Sequence, residues 1–480
     1  MCETITHRGP DGSGLHVEPS AVLGMRRLAV VDVAGGDRPV YSEDGTVVAV
    51  FNGEIYNFAE LRAELLGRGH SMAASGDSEC LVHLYEEHGD AFVHRLRGMF
   101  AFALWDGRRR RLLLARDRVG KKPLYWGMRS GSLRFASKLK ALIGDPRWRG
   151  EVDPVALHHY LTFQYVPAPW SIFEGIGKLP LGSTLVWQDG QVRVDRYWRL
   201  DATPRLGSVV AAEEAERLRE LLLEATRLRM IGERPIGAFL SGGVDSSAVV
   251  AAMARQSPQP VRTFCVGFEE TGFDEREHAR QVAARYGADH SELDVLPTLA
   301  WHFDEPFAGC DLTRVMDVDV NTYLPGDLLV KVDISTMANS LEARSPFLDH
   351  VLMEWAAGLP GELKIRRGTS KYLLKRALAD WLPAHLLQRR KMGFGVPLTS
   401  WLRTGLRPLA HDLLTDATAR DRGIFDPRAV TRLLSEHARG RDHSNRIWTL
   451  MQFELWHRTH LPAQPAVRPT VDGQRRLRSM

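Results

Sequence analysis

The 480-residue sequence predicts two α/β domains in tandem, and three observations carry that reading. The first 200 residues hold short apolar or β-branched runs bounded by Gly, Asp or Pro, as in a β-rich domain. From Ala211 onward, long amphipathic helices alternate with short apolar strands, the signature of a parallel sheet. The length also exceeds the roughly 250–300 residues that one hydrophobic core organises.

In the first domain the expected strands are Arg27–Val33, Thr46–Phe51, Phe100–Trp105, Arg111–Ala115, Ser132–Ala136 and Thr184–Val186. Two helices interrupt them. Asn57 is placed to cap Phe58–Gly67, with Leu61, Leu65 and Leu66 on one face. Asp77 is placed to cap Ser78–His88, where Cys80, Leu81, Leu84 and Tyr85 recur at helical spacing. Arg199–Arg205 reads as the linker between domains 1–200 and 205–462. In the second domain Ile236–Leu240, Thr263–Phe268 and Ser291–Val295 are the expected strands, and after Glu305 the chain is mostly helical to Leu461. The tail 463–480 lacks apolar periodicity and reads as disordered.

Composition narrows the function. Hydrophobic residues make up 44% and charged ones 25%, an ordinary globular balance. The net charge of +4 is too small to imply nucleic acid. No apolar run approaches the ~18 residues that span a membrane. Nothing at the start resembles a signal peptide, so a cytoplasmic enzyme is expected. Cys2, Cys80, Cys265 and Cys310 form no CxxC pair, so no zinc knuckle or disulfide framework is expected. His158, His159, His278, His437 and His443 have no convincing ligand spacing, and no dedicated metal cage is readable. The Arg108–Arg111 run reads as a hairpin tip; Glu213–Glu220 and Arg227–Arg229 read as a solvated helix face.

The most informative stretch is Ile236-Gly-Ala-Phe-Leu-Ser241-Gly242-Gly243-Val244-Asp245-Ser246-Ser247. An apolar strand there delivers a glycine pair and three hydroxyls to a helix start. Glycine lets backbone N–H groups turn inward, and the helix N-terminus adds partial positive charge, so the loop is a phosphate cradle. The Walker lysine is absent, which suits a departing pyrophosphate rather than a held γ-phosphate. Val266, on the next strand, is placed to read adenine with its backbone.

The first domain carries amide chemistry. Asn52 beside Gly53 has the composition of an oxyanion hole, two donors aimed at one developing negative oxygen. An Arg can hold an α-carboxylate through two parallel bonds, and Glu54 or Asp77 can hold an α-ammonium, as free glutamine would require. Taken alone, Asn-Gly is more often a hairpin turn. Cys2 becomes an N-terminal nucleophile if Met1 is removed, its own α-amine then acting as the base. It lies five positions before His7, too close for a full strand between them, which favours an incidental thiol.

Together, His7-Arg-Gly-Pro-Asp11, Arg26-Arg27-Leu28, Asn52–Asn57, Gly76–Glu79, Arg97–Ala101, Ala115–Tyr125, Phe135–Lys140, Ser241–Ser247, Asp304–Pro306, Ser340–Asp349, Lys371-Tyr372 and Arg389–Pro397 resemble the glutamine-hydrolysing asparagine synthetases of the bacterial B type. The resemblance implies an αββα N-terminal-nucleophile (class II glutamine amidotransferase) domain. It also implies an adenine-nucleotide α-hydrolase-like, doubly wound synthetase domain with a helical C-terminal part. Glutamine hydrolysis would supply ammonia, Mg2+ and ATP would adenylate aspartate, and ammonia would displace AMP. Arg27, Asn52, Gly53, Glu54 and Asp77 would bind glutamine, with Leu28, Ala29, Val30 and Val31 nearby. Leu240 and Val266 would border ATP, Ser241–Ser247 would hold pyrophosphate, and Lys371 would stabilise charge. A homodimer is the candidate assembly.

Two departures qualify the resemblance. The family's Cys-led strand upstream of His7 has no counterpart, and Cys2 aligns with an interior position. Between Ala308 and Leu312 the chain runs straight across where the family inserts a segment ending in a Ser-Gly-x-Gly-x-Asp-Glu loop. The expectation is therefore a shortened relative whose activity is open. Two alternatives stand: an amide ligase of specialised metabolism, such as a β-lactam synthetase or lasso-peptide cyclase, or a pseudoenzyme that binds nucleotide. Retention of Arg27, Asn52, Glu54 and Asp77 favours the glutamine-dependent reading over a cyclase, which needs no ammonia.

Overall fold

The computed structural model describes residues 1–33, 35, 39–145, 148, 150–201, 203, 209–267, 274–294, 312–389 and 396–461. The amino-terminal domain contains β1 (Gly12–Glu18), β2 (Ala21–Arg27), β3 (Val40–Tyr41), β4 (Val47–Ile55), α1 (Phe58–Gly67) and α2 (Cys80–His88). It continues with β5 (Gly98–Asp106), β6 (Arg111–Arg116), β7 (Tyr125–Arg129), β8 (Ser132–Ala136), α3 (Leu139–Ile143) and α4 (Pro154–Phe163). The last three strands are β9 (Ile176–Lys178), β10 (Ser183–Gln188) and β11 (Gln191–Arg196).

A six-stranded antiparallel sheet in the order β11-β10-β6-β5-β4-β3 divides this domain into two cores. Alternate residues of a strand face opposite sides, so β4 feeds both. Val47, Ala49 and Ile55 pack with Leu61, Leu65, Leu81 and Leu84 under α1 and α2. Val48 and Val50 pack on the other side with Leu23, Trp105, Leu114 and Leu124. That second face is covered by the β1–β2 hairpin and a three-stranded sheet ordered β8-β7-β9. Strands β2 and β8 do not pair with each other, and both line a cavity of about 780 Å³.

The second domain begins with α5 (Ala211–Arg229), then β12 (Gly237–Phe239), α6 (Val244–Ala254), β13 (Arg262–Gly267), α7 (Arg276–Tyr286) and β14 (Asp289–Asp294). The three strands are parallel, in the order β12-β13-β14. Ala238, Leu240 and Cys265 bury one face against Val250, Val282 and Ala283 of α6 and α7. On the opposite face Phe239, Phe264, Val266 and Leu293 are 63%, 38%, 41% and 64% exposed. Parallel sheets are normally covered on both sides; the described residues leave this apolar face partly open. From Leu312 the described chain is predominantly helical to His460.

Buried ion pairs lock the two domains together. The Arg8 guanidinium donates to both Asp333 oxygens at 2.5 and 3.1 Å, each side chain only 4% exposed. Asp349 accepts from Arg97 at 2.8 and 3.0 Å and from Arg229 at 3.0 Å, and the Arg229 guanidinium lies 4.4 Å over the Tyr56 ring.

Several expected elements end differently. The strand expected over Arg27–Val33 stops at Arg27, because Asp11 accepts the Ala29 N–H at 2.8 Å and the Arg27 guanidinium draws the 31–33 carbonyls around itself. Asn57 does not cap α1 through its side chain, which instead bonds the Arg95 carbonyl and the Arg97 N–H. Leu66 is exposed, since one residue past Leu65 turns about 100° off the buried stripe. Asp77 does not cap α2, which starts at Cys80; its carboxylate goes to strand β4. Arg229 is no solvated face residue but a buried partner of Asp349. The expectations at Phe268, Val295, Asp304–Pro306 and the tail lie outside the described residues.

Removing one partner of a buried pair leaves an uncompensated charge, which costs about 3–5 kcal/mol. Asp333→Ala is therefore expected to destabilise the protein by that amount in urea unfolding. A loss below about 0.5 kcal/mol would contradict the locking role of Arg8–Asp333.

Candidate functional sites

The large cavity gathers nearly all of the amide-chemistry residues. Cys2, Arg27, Leu28, Val30, Val31, Asn52, Gly53, Glu54 and Asp77 all line it. Ala29 does not; it is buried, with its N–H held by Asp11. Asn52 and Gly53 sit mid-strand in β4 rather than in a hairpin turn. Asn52 Nδ2 donates to Ser137 Oγ at 3.2 Å. A Cβ on Gly53 would stand 2.0 Å from the Met99 carbonyl oxygen, so only glycine fits against β5. Arg27 is already engaged by the carbonyls of Val31, Asp32 and Val33, so a carboxylate reaching its fork would displace part of that loop. Cys2 lies before a 3-10 turn (Glu3–Arg8), its thiol packed against the Cα of Gly24.

At the cavity wall, where Glu54 and Glu342 line it, lies a cluster of buried charge that bridges the domains. Arg344 stands between Glu54, 2.9 Å from Nη2, and Glu342, 3.1 Å from Nε, while Lys122 reaches Glu342 at 3.0 Å. The Glu54 contact lacks hydrogen-bond alignment, since Arg344 Nη2 keeps no hydrogen-bond partner. Burial, then the charges of Glu342 and Asp77, push the Glu54 carboxyl well above its usual range, against the pull of Arg344 and Lys122. Burial also opposes ionisation of Glu342, yet Lys122 and Arg344 hold its carboxyl below the ordinary value. Neighbouring carboxyls are thus driven apart, one toward the acid and one fixed as the anion. Asp77 accepts the Ile55 N–H at 2.7 Å, but burial pushes its carboxyl up to about 6.

The second site is the turn between β12 and α6. Gly242 has φ +68°, and a Cβ there would lie 2.4 Å from His278 Cβ of α7, so glycine is required twice over. The hydroxyls organise the turn: Ser241 and Ser246 Oγ are 3.1 Å apart, and Ser246 donates to the Gly243 carbonyl at 3.2 Å. The Ser247 hydroxyl is fully buried with no protein partner. Leu240 is buried, its N–H on the Phe264 carbonyl at 2.8 Å; Val266 lies two residues on, partly exposed. Lys371, at φ +56° ahead of the helix Tyr372–Ala377, forms an ion pair with Asp245 across the turn.

The glutamine amidotransferase domain family matches residues 1–198, and the asparagine synthase family matches 217–313 and 309–458. Glutamine-hydrolyzing asparagine synthetase 1 of Bacillus subtilis is 29% identical over 593 residues, covering 95% of this chain and 92% of its own. A putative glutamine-hydrolyzing asparagine synthetase of Mycobacterium tuberculosis is 32% identical over 600 residues, covering 94% of this chain and 92% of its own. The chain belongs to the glutamine-hydrolysing asparagine synthetase family. Both relatives align over more positions than the 480 residues here, so each carries residues inside the matched span that this chain lacks. A solved glutamine phosphoribosylpyrophosphate amidotransferase of B. subtilis has TM-score 0.28 at 14% identity, covering 60% of this chain and 61% of that one, too loose a likeness to bear on the argument.

Sequence reasoning missed the parts that act between the domains. Glu342, Arg344 and Lys122 were legible only as charges within longer motifs, because the pairs that cross the domains, Lys122–Glu342 and Glu54–Arg344, join residues more than 200 positions apart. Arg389, within the second domain, also went unread: its guanidinium reaches the Ser241 carbonyl at 3.4 Å and Glu275 at 2.8 Å.

Asp77 gives a pH test. The folded protein holds this proton more tightly than the unfolded chain, so stability is lost as pH rises from near 3.8 to about 6 and is level above. The full effect is about 3 kcal/mol. Asp77→Asn is expected to flatten that stretch of the stability–pH curve, with the Ile55 N–H still bonded. An unchanged slope would contradict it.

Proposed function

We propose that the protein forms the side-chain amide of asparagine, drawing ammonia from glutamine in the first domain and activating aspartate with ATP in the second. The observation that carries this reading is the ion pair of Lys371 with Asp245 across the Ser241–Ser247 turn. In the activation step an aspartate carboxylate oxygen attacks the α-phosphorus of ATP and pyrophosphate leaves. The turn's N–H groups and the positive end of α6 would hold that pyrophosphate, and Lys371 would exchange Asp245 for phosphate oxygens as charge builds. Ammonia then attacks the acyl carbon and AMP leaves. Magnesium would enter with the ATP phosphates. In the first domain, Arg27 and Asp77 would hold the α-carboxylate and α-ammonium of glutamine, and Asn52 with the Gly53 N–H would stabilise the oxyanion. Nucleophilic attack would fall to Cys2, which requires removal of Met1 and a shift of the thiol off Gly24. The cytoplasm is the site of action we favour by family; no helix among the described residues is long and apolar enough to cross a membrane. A homodimer is the assembly we favour by family.

A second reading, a nucleotide-binding relative without turnover, draws on the residues missing from the matched span. Incubation with aspartate, ATP, Mg2+ and ammonium chloride decides between them. The first reading expects pyrophosphate and asparagine in equal amounts, with Lys371→Met slowing release about 10²–10³-fold. ATP binding without pyrophosphate would support the second. A parallel assay with glutamine, compared with Cys2→Ser, reads the first domain alone.

A further inference from the structure

Beside the loop that walls the amino-terminal cavity two histidines and two glutamates converge, one of them, Glu43, itself lining the cavity. Glu43 follows β3, His70 follows α1, and His83 and Glu86 lie one turn apart on α2. One nitrogen or oxygen from each lies within 4.8 Å of all the others, and no other such group occurs among the described residues. His70 Nδ1 is 3.1 Å from Glu43 Oε1, and His83 Nδ1 is 3.2 Å from Glu43 Oε2 and 3.3 Å from Glu86 Oε2.

These separations have a meaning. Four ligands at zinc bond lengths of about 2.0–2.1 Å define a tetrahedron whose edges are about 3.3 Å. Both Nδ1 atoms face the carboxylates, and both Nε2 atoms face other acids. His70 Nε2 is 3.2 Å from Glu87, and His83 Nε2 is 3.9 Å from Glu79. A carboxylate behind an imidazole is the usual outer support of a metal ligand, and Glu87 supplies one for His70; His83 Nε2, at 3.9 Å, is beyond hydrogen-bond reach of Glu79 and has no partner among the described residues. Glu79 is itself anchored by the Ala73 and Ala74 N–H groups at 2.8 and 2.7 Å. His83 is fully buried, and a single Nδ1–H cannot serve both Glu43 and Glu86 well. A cation between them would satisfy both carboxylates at once.

We infer that Glu43, His70, His83 and Glu86 bind one divalent transition metal, zinc by ligand type, in a closed structural site. The site ties three segments together: the chain after β3, the chain after α1, and α2. Ser71, Ala73, Ala74, Gly76 and Asp77, which follow His70 directly, line the large cavity, so the metal would stiffen its wall. The inference stands without the ligase reading, because metal uptake is measured with no substrate present.

The test uses the full chain, stripped with a chelator and titrated with Zn2+ alone by calorimetry, then with Co2+ in the visible range. One equivalent of Zn2+, a Co2+ spectrum of tetrahedral intensity, and a raised unfolding temperature are expected. His70→Ala and Glu86→Gln, both at partly exposed positions and so expected to leave the fold intact, should each weaken binding at least tenfold. Absence of stoichiometric uptake would overturn the inference. So would undiminished uptake in both variants, which would place the metal on other histidines or thiols.

Discussion

Arg344 is the residue on which the arrangement turns. It projects from the second domain into a buried space with two carboxylates, and neither domain alone can satisfy that space. Without Arg344 and Lys122, Glu54 and Glu342 would stand close together in a low-dielectric interior and could not both ionise. With them, Glu342 is fixed as an anion and Glu54 is held near the cavity wall in a balance that favours its proton. A ligand ammonium entering beside Glu54 and Asp77 would change that balance. The electrostatics of the amino-terminal cavity therefore depend on the segment around 340–349 of the other domain.

The same segment carries a second tie. Asp349 draws in Arg97 from β5 and Arg229 from α5, and Asp333 takes Arg8. Such pairs contribute little net stability compared with apolar replacements, but breaking one of them is expensive. Their effect is to fix how the domains sit. The Ser241–Ser247 turn shows a different economy. Its shape comes from Gly242 and hydroxyl-to-hydroxyl bonds rather than from buried charge, and its one ion pair, Lys371 with Asp245, is half-exposed and so easily exchanged.

How much of this was legible in the sequence follows from the range of each interaction. Strands β5, β6 and β8 and helices α1 and α2 could be read because apolar periodicity is local. The Ser241–Ser247 turn was readable for the same reason: strand, glycine pair and helix start are contiguous. The hairpin β1–β2 was not, since Leu15, Val17 and Val22 on its outer face are exposed and the alternation signals no covered strand. Asn57 and Asp77 carried good capping signals, yet long-range backbone partners at Arg97 and Ile55 captured both side chains. His70 and His83 were overlooked because their ligand set is split among two loops and a helix, with no spacing to betray it.

The most direct test of the coupling between domains is a double-mutant cycle on Glu54→Gln and Arg344→Met, with unfolding free energies measured for the parent, both single variants and the double variant. A direct buried pair predicts that the double variant departs from the sum of the singles by more than about 1 kcal/mol. Additivity within about 0.3–0.5 kcal/mol would mean that the two residues act independently, and the account of Arg344 as the hinge of the structure would be wrong.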